Sequence, residues 1–251
     1  MYSINDDILK RVQSLLKWYR KAQSDPTSKV LPHPVKNRWK FWDDNRICCS
    51  FFFSIAVPGN SRVARDYVEQ IEEGLLQFEL HPNLLLPFKE EERLKIIWEF
   101  GRGKNRLKKA LGRFFSKPNN FGSPKNSEYK ANKIFSILVE KGFKEWFNQI
   151  DELEDDRAKA QVLEIIPGVK LKVSRDFLND IGMTDSVIPL DIHILSEMRQ
   201  KWNWIVPSST PASREIYVHI EDAVRIIADS LDCKVVEIDK AIYFARMTRE
   251  F

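Results

Sequence analysis

The sequence predicts an all-α fold. Three observations carry that expectation. Apolar residues recur at helical spacing from the first segment of the chain to the last. No stretch alternates apolar and polar residues with the period of a half-buried strand, and there is no internal repeat or low-complexity tract. Breakers such as Asp25-Pro26 and Pro167-Gly168 fall between the amphipathic segments.

Composition sets the outer bounds. The 251 residues suffice for one large domain or two small lobes, and 43% hydrophobic content supplies a sizeable core. Charged residues make up 30%, with a formal net charge of +4 and a pI of about 8.8. That mild excess admits nucleic acid as a partner without requiring it. The cysteines are Cys48, Cys49 and Cys233, two of them adjacent, so no disulfide framework is implied and a reducing compartment fits. Residues 1–20 are charged and helical and do not read as a secretory leader. No apolar run approaches the length of a membrane span, so no membrane partner is expected. The expected location is the cytoplasm, beside the nucleoid, or the nucleus.

In chain order, Ile8, Val12, Leu15, Leu16 and Tyr19 make residues 5–23 an amphipathic helix that Asp25-Pro26 stops. The segment 36–42, K-N-R-W-K-F-W, has two readings. It is a basic-aromatic strip for nucleic acid, or an arm whose Trp39, Phe41 and Trp42 dock on the core. The second is favoured because tryptophans are commonly buried. Residues 46–57 are apolar nearly all round, and their helical neighbours favour a buried helix over a strand. A turn follows, with a cap at Asn60 or Ser61, and then a helix over 61–78. Residues 80–88 connect to helices over 89–100 and 104–115, broken at Gly101 to Gly103. Arg102, Lys104, Arg106, Lys108, Lys109 and Arg113 make the most basic run, which is either a solvated face or a phosphate-contacting one. Residues 116–127 form the clearest loop, and a basic helix with Phe135, Leu138 and Val139 on its apolar face follows. Short helices are expected over 143–151 and 156–166.

The stretch from Glu164 to Leu195 organises the rest. Val173, Phe177, Leu178 and Ile181 place a helix start near Leu171, and Gly182 suits its C-terminal end. Pro189 marks the start of the next helix, with Asp191 in its first turn. That helix runs to about Lys201. Two more follow, over 213–230 and from Val235 to about Thr248. Two short helices joined by a Gly-containing hairpin present backbone N–H groups at a helix N-terminus, a ready phosphate site.

The pattern I-P-G-V-x-x-K-V over 166–173, followed by V-I-P-L-D-I-H over 187–193, resembles the helix-hairpin-helix base-excision DNA glycosylases. It is most similar to the bifunctional 8-oxoguanine glycosylase/lyases, in particular their short branch. The Y-K-A-x-K-I segment over 129–134 resembles the helix before the hairpin in that family and is a weaker, second anchor. The resemblance implies two helical lobes flanking a cleft. One lobe covers 45–150. The other combines the N-terminal helix and arm, 1–44, with a catalytic lobe over 151–251. It implies Lys172 as the nucleophile and Asp191 as the assisting carboxylate. Gly168, Val169 and Lys170 would clamp DNA phosphate, with Ser174 and His193 adding contacts. Asn60, in the loop after the buried helix, would reach the minor groove at the flipped base. Tyr243 would stack on that base, and the carboxylate of Phe251 would lie near the pocket. Individually these residues have plain structural readings: a lysine after a turn, a helix cap, an interhelix turn, a core tyrosine, a frayed terminus. The joint pattern of hairpin lysine and following aspartate outweighs them for Lys172 and Asp191.

One departure is specific. The family hairpin usually reads G-x-G, and here Lys170 replaces the second glycine. A lysine is unfavourable where the backbone needs positive φ, which predicts a reshaped hairpin and makes Lys170 a rival to Lys172. The four-cysteine cluster of some relatives does not follow the hairpin, so no metal and no cofactor is expected.

The chemistry needs this pair. A damaged base in a duplex is reached only by flipping it out, at a cost of a few kcal/mol that a phosphate-clamped, bent duplex offsets. Breaking the glycosidic bond leaves positive charge on the sugar, which the Asp191 carboxylate would stabilise. Lys172 must be neutral to attack the sugar carbon, and the Schiff base it forms permits strand cleavage by β-elimination. The implied protein is a DNA glycosylase/AP lyase, a monomer acting on duplex DNA that contains an oxidised purine, 8-oxoguanine. The alternatives are a glycosylase/lyase for another damaged base and a non-catalytic helix-hairpin-helix DNA-binding protein.

Overall fold

The computed structural model describes residues 2–25, 27, 28, 30, 35–42, 47, 50, 51, 54, 143–166 and 169–248. Among them every regular element is helical. Expectations for residues 55–142, including Asn60, the basic run, the long loop and the Y-K-A-x-K-I helix, lie outside the described residues. So do Pro167, Gly168 and Phe251.

Four of the described helices start where the sequence supplies a side-chain acceptor for the first-turn amides, at Asn5, Asp155, Asp191 and Ser213. Helix α1 spans Asp6–Gln23, with the Asn5 side chain accepting from the Ile8 amide. Asp6 and Asp7 lie in its first turn and Arg20 and Lys21 in its last, matching the helix dipole at both ends. Helices α2 (Phe143–Asp151) and α3 (Asp156–Leu163) follow, α3 capped by Asp155. Helix α4 spans Leu171–Asp180, α5 Ile192–Gln200, α6 Arg214–Ser230 and α7 Val235–Thr248. Ser213 caps α6 by accepting from Ile216.

The chain divides into two compact units. The first comprises residues 1–36 and 174–251. Its centre is α7, which packs against α1, α5 and α6. Val235, Val236, Ile238, Ala241, Ile242 and Ala245 of α7 are all buried. Glu197 on α5, only 3% exposed, holds Arg11 of α1 at 2.9 Å and Arg246 of α7 at 3.5 Å. Tyr19 of α1 stacks on Phe244 of α7.

The second unit covers residues 37–173. Trp39, in a short 3-10 helix over Arg38–Phe41, is fully buried against Phe147 of α2, which also meets Phe51 edge-on. Lys40 reaches Asp151 at 2.7 Å. The aromatic segment therefore docks through Trp39, whereas Phe41 is 90% exposed. The sequence reading divides the chain after residues 44 and 150, and the compact units divide it after 36 and 173. The difference has a local cause: the shared Trp39–Phe51–Phe147 core ties residues 37–42 and α2 to the middle of the chain, and α2 packs on α3.

Helix α4 ends as its glycine predicts. Gly182 adopts φ of 74°, the Met183 amide donates to the Leu178 carbonyl and the Gly182 amide to the Asn179 carbonyl. This pair of bonds is the Schellman arrangement, which needs a left-handed residue where Gly182 stands. Two expectations near the start of α4 are corrected. Lys170 is not among the positive-φ residues, which outside glycine are, among the described residues, Asn37, Asn203 and Asp232. The chain enters α4 without a left-handed residue at 170, so the lysine there carries no such strain. Ser174 is fully buried, because it shares the inward stripe of α4 with Leu171, Arg175 and Leu178. Its side chain is therefore withdrawn from the surface that a phosphate would touch.

Candidate functional site

The segment between α4 and α5 is short, extended and buried. Val187, Ile188 and Leu190 are completely buried. An extended segment without a strand partner leaves its amides and carbonyls to be satisfied by side chains. Helix α6 supplies most of them. The Glu221 carboxylate accepts from the Ile188 amide at 3.2 Å. The Tyr217 hydroxyl accepts from the Leu190 amide and donates to the Ile188 carbonyl, both at 2.8 Å. Arg225 donates to the Ser186 carbonyl at 2.7 Å. From α4, the Asn179 amide group donates to the Val187 carbonyl, and Thr184 donates to the Asn179 side chain. Thr210 donates to the Leu190 carbonyl.

Beneath this lattice Arg175 pairs with Glu221 at 2.8 Å, and its guanidinium lies 4.6 Å from the centre of the Tyr217 ring. Burial pushes the Tyr217 phenol well above its ordinary value, with the Arg175 charge opposing. The hydroxyl therefore keeps the proton it donates. The polar stripe Tyr217, Glu221, Arg225 escapes a reading for catalytic motifs. Its signal is a glutamate four residues after a buried tyrosine on a helix face that is otherwise apolar.

The segment delivers Asp191. Helix α5 begins at Ile192, so Asp191 is its cap and not a residue of its first turn. Its φ of −90° and ψ of −179° are extended, and Oδ1 accepts from the His193 amide at 2.8 Å and the Ile194 amide at 2.9 Å. Among the described residues Oδ2 accepts no hydrogen bond. The structural and functional readings of Asp191 are thus compatible, since one oxygen holds the helix and the other is left for a second task.

His193 and Tyr243 are brought together. Their rings meet edge-to-face with centroids 5.8 Å apart, and Tyr243 also stands edge-on to Phe244. Both are half-buried. One turn earlier on α7, Asp239 is 4% exposed. Burial raises its carboxyl to about 7; Lys240 opposes the rise, and the charges of Asp191, Asp176 and Asp180 add to it. Lys240 bridges Asp180 at 3.0 Å and Asp239 at 3.5 Å. Burial alone would lower the lysine, but these two carboxylates outweigh it and hold it well above its ordinary value. Asp239 and Lys240 carried no expectation from the sequence, where D-K reads as a solvated pair.

In the second unit, Lys172 is half-buried in the first turn of α4. Lys170 is exposed, and Val169 is buried with its amide donating to the Ile166 carbonyl at 3.0 Å. That amide is spent on a turn, so Val169 drops out of the expected phosphate clamp. Among the described residues no cluster of histidine, cysteine, aspartate and glutamate could hold a metal ion. No described helix is long and apolar enough to cross a membrane.

No family model matches the chain. Over 111 residues it is 29% identical to an 8-oxoguanine DNA glycosylase/AP lyase from Methanocaldococcus jannaschii, a match covering 44% of this chain and 53% of that protein. The matched region thus spans about half the length of that relative. Solved structures extend the likeness over nearly the whole chain. The 8-oxoguanine DNA glycosylase of M. jannaschii superposes with a TM-score of 0.60 at 20% identity, covering 95% of this chain and 96% of that one. A glycosylase/lyase from the same organism, in complex with a 15mer DNA containing 8-oxoguanine, gives a TM-score of 0.56 at 19% identity, covering 97% and 93%. These superpositions show that the chain has the fold of the 8-oxoguanine DNA glycosylase structures, and its described regular elements are all helical, as the sequence predicts.

Proposed function

We propose that the chain is a bifunctional DNA glycosylase/AP lyase, acting as a monomer, that flips an oxidised purine, 8-oxoguanine, out of duplex DNA, excises it and cleaves the strand. The observation that carries this reading is Asp191: a carboxylate at a helix N-terminus with one oxygen committed to the helix and, among the described residues, the other accepting no hydrogen bond. The named relative and the similar structure bound to 8-oxoguanine DNA support the reaction class and the substrate.

The neutral Lys172 amine attacks the sugar C1′, and the C1′–N9 bond breaks with its electron pair leaving on the base, which takes up a proton. The Asp191 charge stabilises the positive sugar in between. The C1′–O4′ bond then opens, its electron pair leaving on O4′, which takes up a proton from water, and a protonated Schiff base forms on Lys172. Loss of a C2′ proton expels the 3′ phosphate, and water finally releases the lysine. The DNA backbone is gripped at the N-terminus of α4 with the Lys170 side chain adding charge. Tyr243, braced edge-to-face by His193, offers its ring to the flipped base, and His193 adds a phosphate contact.

A panel of duplexes tests this. With 8-oxoguanine, a damaged pyrimidine, an abasic site and undamaged guanine as substrates, the expected outcome is base release and strand cleavage at 8-oxoguanine and cleavage at the abasic site. Excision confined to the pyrimidine would overturn the substrate. Tight DNA binding with no base release and no cleavage would leave a non-catalytic DNA-binding protein.

A further inference from the structure

We infer that Tyr217 is a positioning residue for Asp191, acting through the backbone of Ile188 and Leu190; the inference rests on the function proposed above. Three side chains of α6, spaced by four residues, engage successive points of one extended segment. Arg225 takes the Ser186 carbonyl, Glu221 the Ile188 amide, and Tyr217 both the Ile188 carbonyl and the Leu190 amide. Pro189 has no amide to give, so this one hydroxyl holds the chain on both sides of it. The Asp191 amide donates to the Pro189 carbonyl at 2.7 Å, and the Asp191 side chain then caps α5. The segment is therefore registered against α6 up to the residue before the carboxylate.

An apolar face on α6 would bury this segment without desolvating a tyrosine hydroxyl, a glutamate and an arginine. What the polar stripe adds is direction. Hydrophobic contact tolerates sliding along the helix, whereas a hydroxyl bonded to two backbone groups within 2.8 Å does not. Arg175 under the ring and paired with Glu221 holds the tyrosine and the glutamate in one unit. A displacement of about 1 Å at a reacting group is enough to cost on the order of a hundredfold in rate. The cap geometry of Asp191 inherits any such slip directly.

The test compares Tyr217→Phe with Ile227→Val, which trims a fully buried apolar residue of the same helix away from the polar stripe. Single-turnover excision of 8-oxoguanine and the Kd for the same duplex are measured at one temperature with folded protein verified by circular dichroism. Tyr217→Phe is expected to slow excision tenfold or more while the Kd stays within twofold; Ile227→Val should change neither beyond twofold. Wild-type-like excision by Tyr217→Phe, or an equal slowing by Ile227→Val, overturns the inference. A wild-type protein that excises no base overturns the proposed function itself, an outcome distinct from a defect confined to one variant. Should Tyr217→Phe fail to fold, Thr210→Val, which removes the donor to the Leu190 carbonyl from the opposite side, takes its place with the same expected split.

Discussion

Arg175 and Glu221 meet in the interior of the first unit at 2.8 Å, their side chains 1% and 0% exposed. Such a pair contributes little net stability, because desolvating both ions offsets their attraction, but removing one partner strands the other in the core. Arg175→Met is therefore expected to destabilise the fold by about 3–5 kcal/mol. Lys36→Met, which removes an exposed ion pair with Asp185 at 3.7 Å, should cost about 1 kcal/mol or less. Urea unfolding of both variants checks the contrast, and equal costs would contradict the buried geometry.

One substitution separates the cap that Asp191 forms from the catalytic charge proposed for it. Asparagine caps a helix about as well as aspartate, so Asp191→Asn should leave the unfolding midpoint near wild type, while Asp191→Ala should cost about 1 kcal/mol. The proposed excision would depend on the charge instead. Single-turnover base release by Asp191→Asn is expected to fall roughly a hundredfold or more, the scale of losing a transition-state stabiliser. Excision by Asp191→Asn at the wild-type rate would reduce Asp191 to a cap.

How much of this was legible in the sequence differs from residue to residue. Local signals read well. Val173, Phe177, Leu178 and Ile181 located α4, Gly182 its end, and Ser213 the start of α6, because caps and apolar periods act within one or two turns. Non-local signals did not. Arg175 and Glu221 are 46 residues apart, and each alone reads as a solvated charge. The resemblance put Ser174 at a phosphate, yet the phase of α4 turns it inward. The strain expected at Lys170 came from a glycine it replaces, and its φ was not readable from residue type. Asp191 was placed one position too deep in its helix, since Pro189 marks the approach to the helix and the side-chain cap marks its start.

Asp239 sets a pH dependence with a defined sign. Its ordinary value is 3.8 and burial raises it to about 7 in the fold. Between those limits the folded chain keeps a proton that the unfolded chain releases, so this group's contribution to stability is fully present below about 4 and is lost as pH rises through about 7. The loss is on the order of a few kcal/mol. Asp239→Asn cannot titrate, and Lys240 keeps Asp180 at 3.0 Å. The variant is expected to gain on the wild type as pH is raised from 4 to 8. Urea midpoints at several pH values check this, and a constant offset between the two proteins would contradict it.

Lys172 is proposed to form a covalent link to the sugar, and borohydride trapping on an 8-oxoguanine duplex reports that link itself. Borohydride reduces the Schiff base to a stable amine, so the enzyme–DNA complex persists on a denaturing gel. Lys172→Gln should abolish the trapped complex. Lys170→Gln should retain it and weaken DNA binding, because Lys170 is exposed beside the N-terminus of α4, where its side chain would meet DNA phosphate. Loss of trapping in Lys170→Gln with trapping retained in Lys172→Gln would move the nucleophile to the other lysine, and normal trapping by both variants would contradict the account altogether.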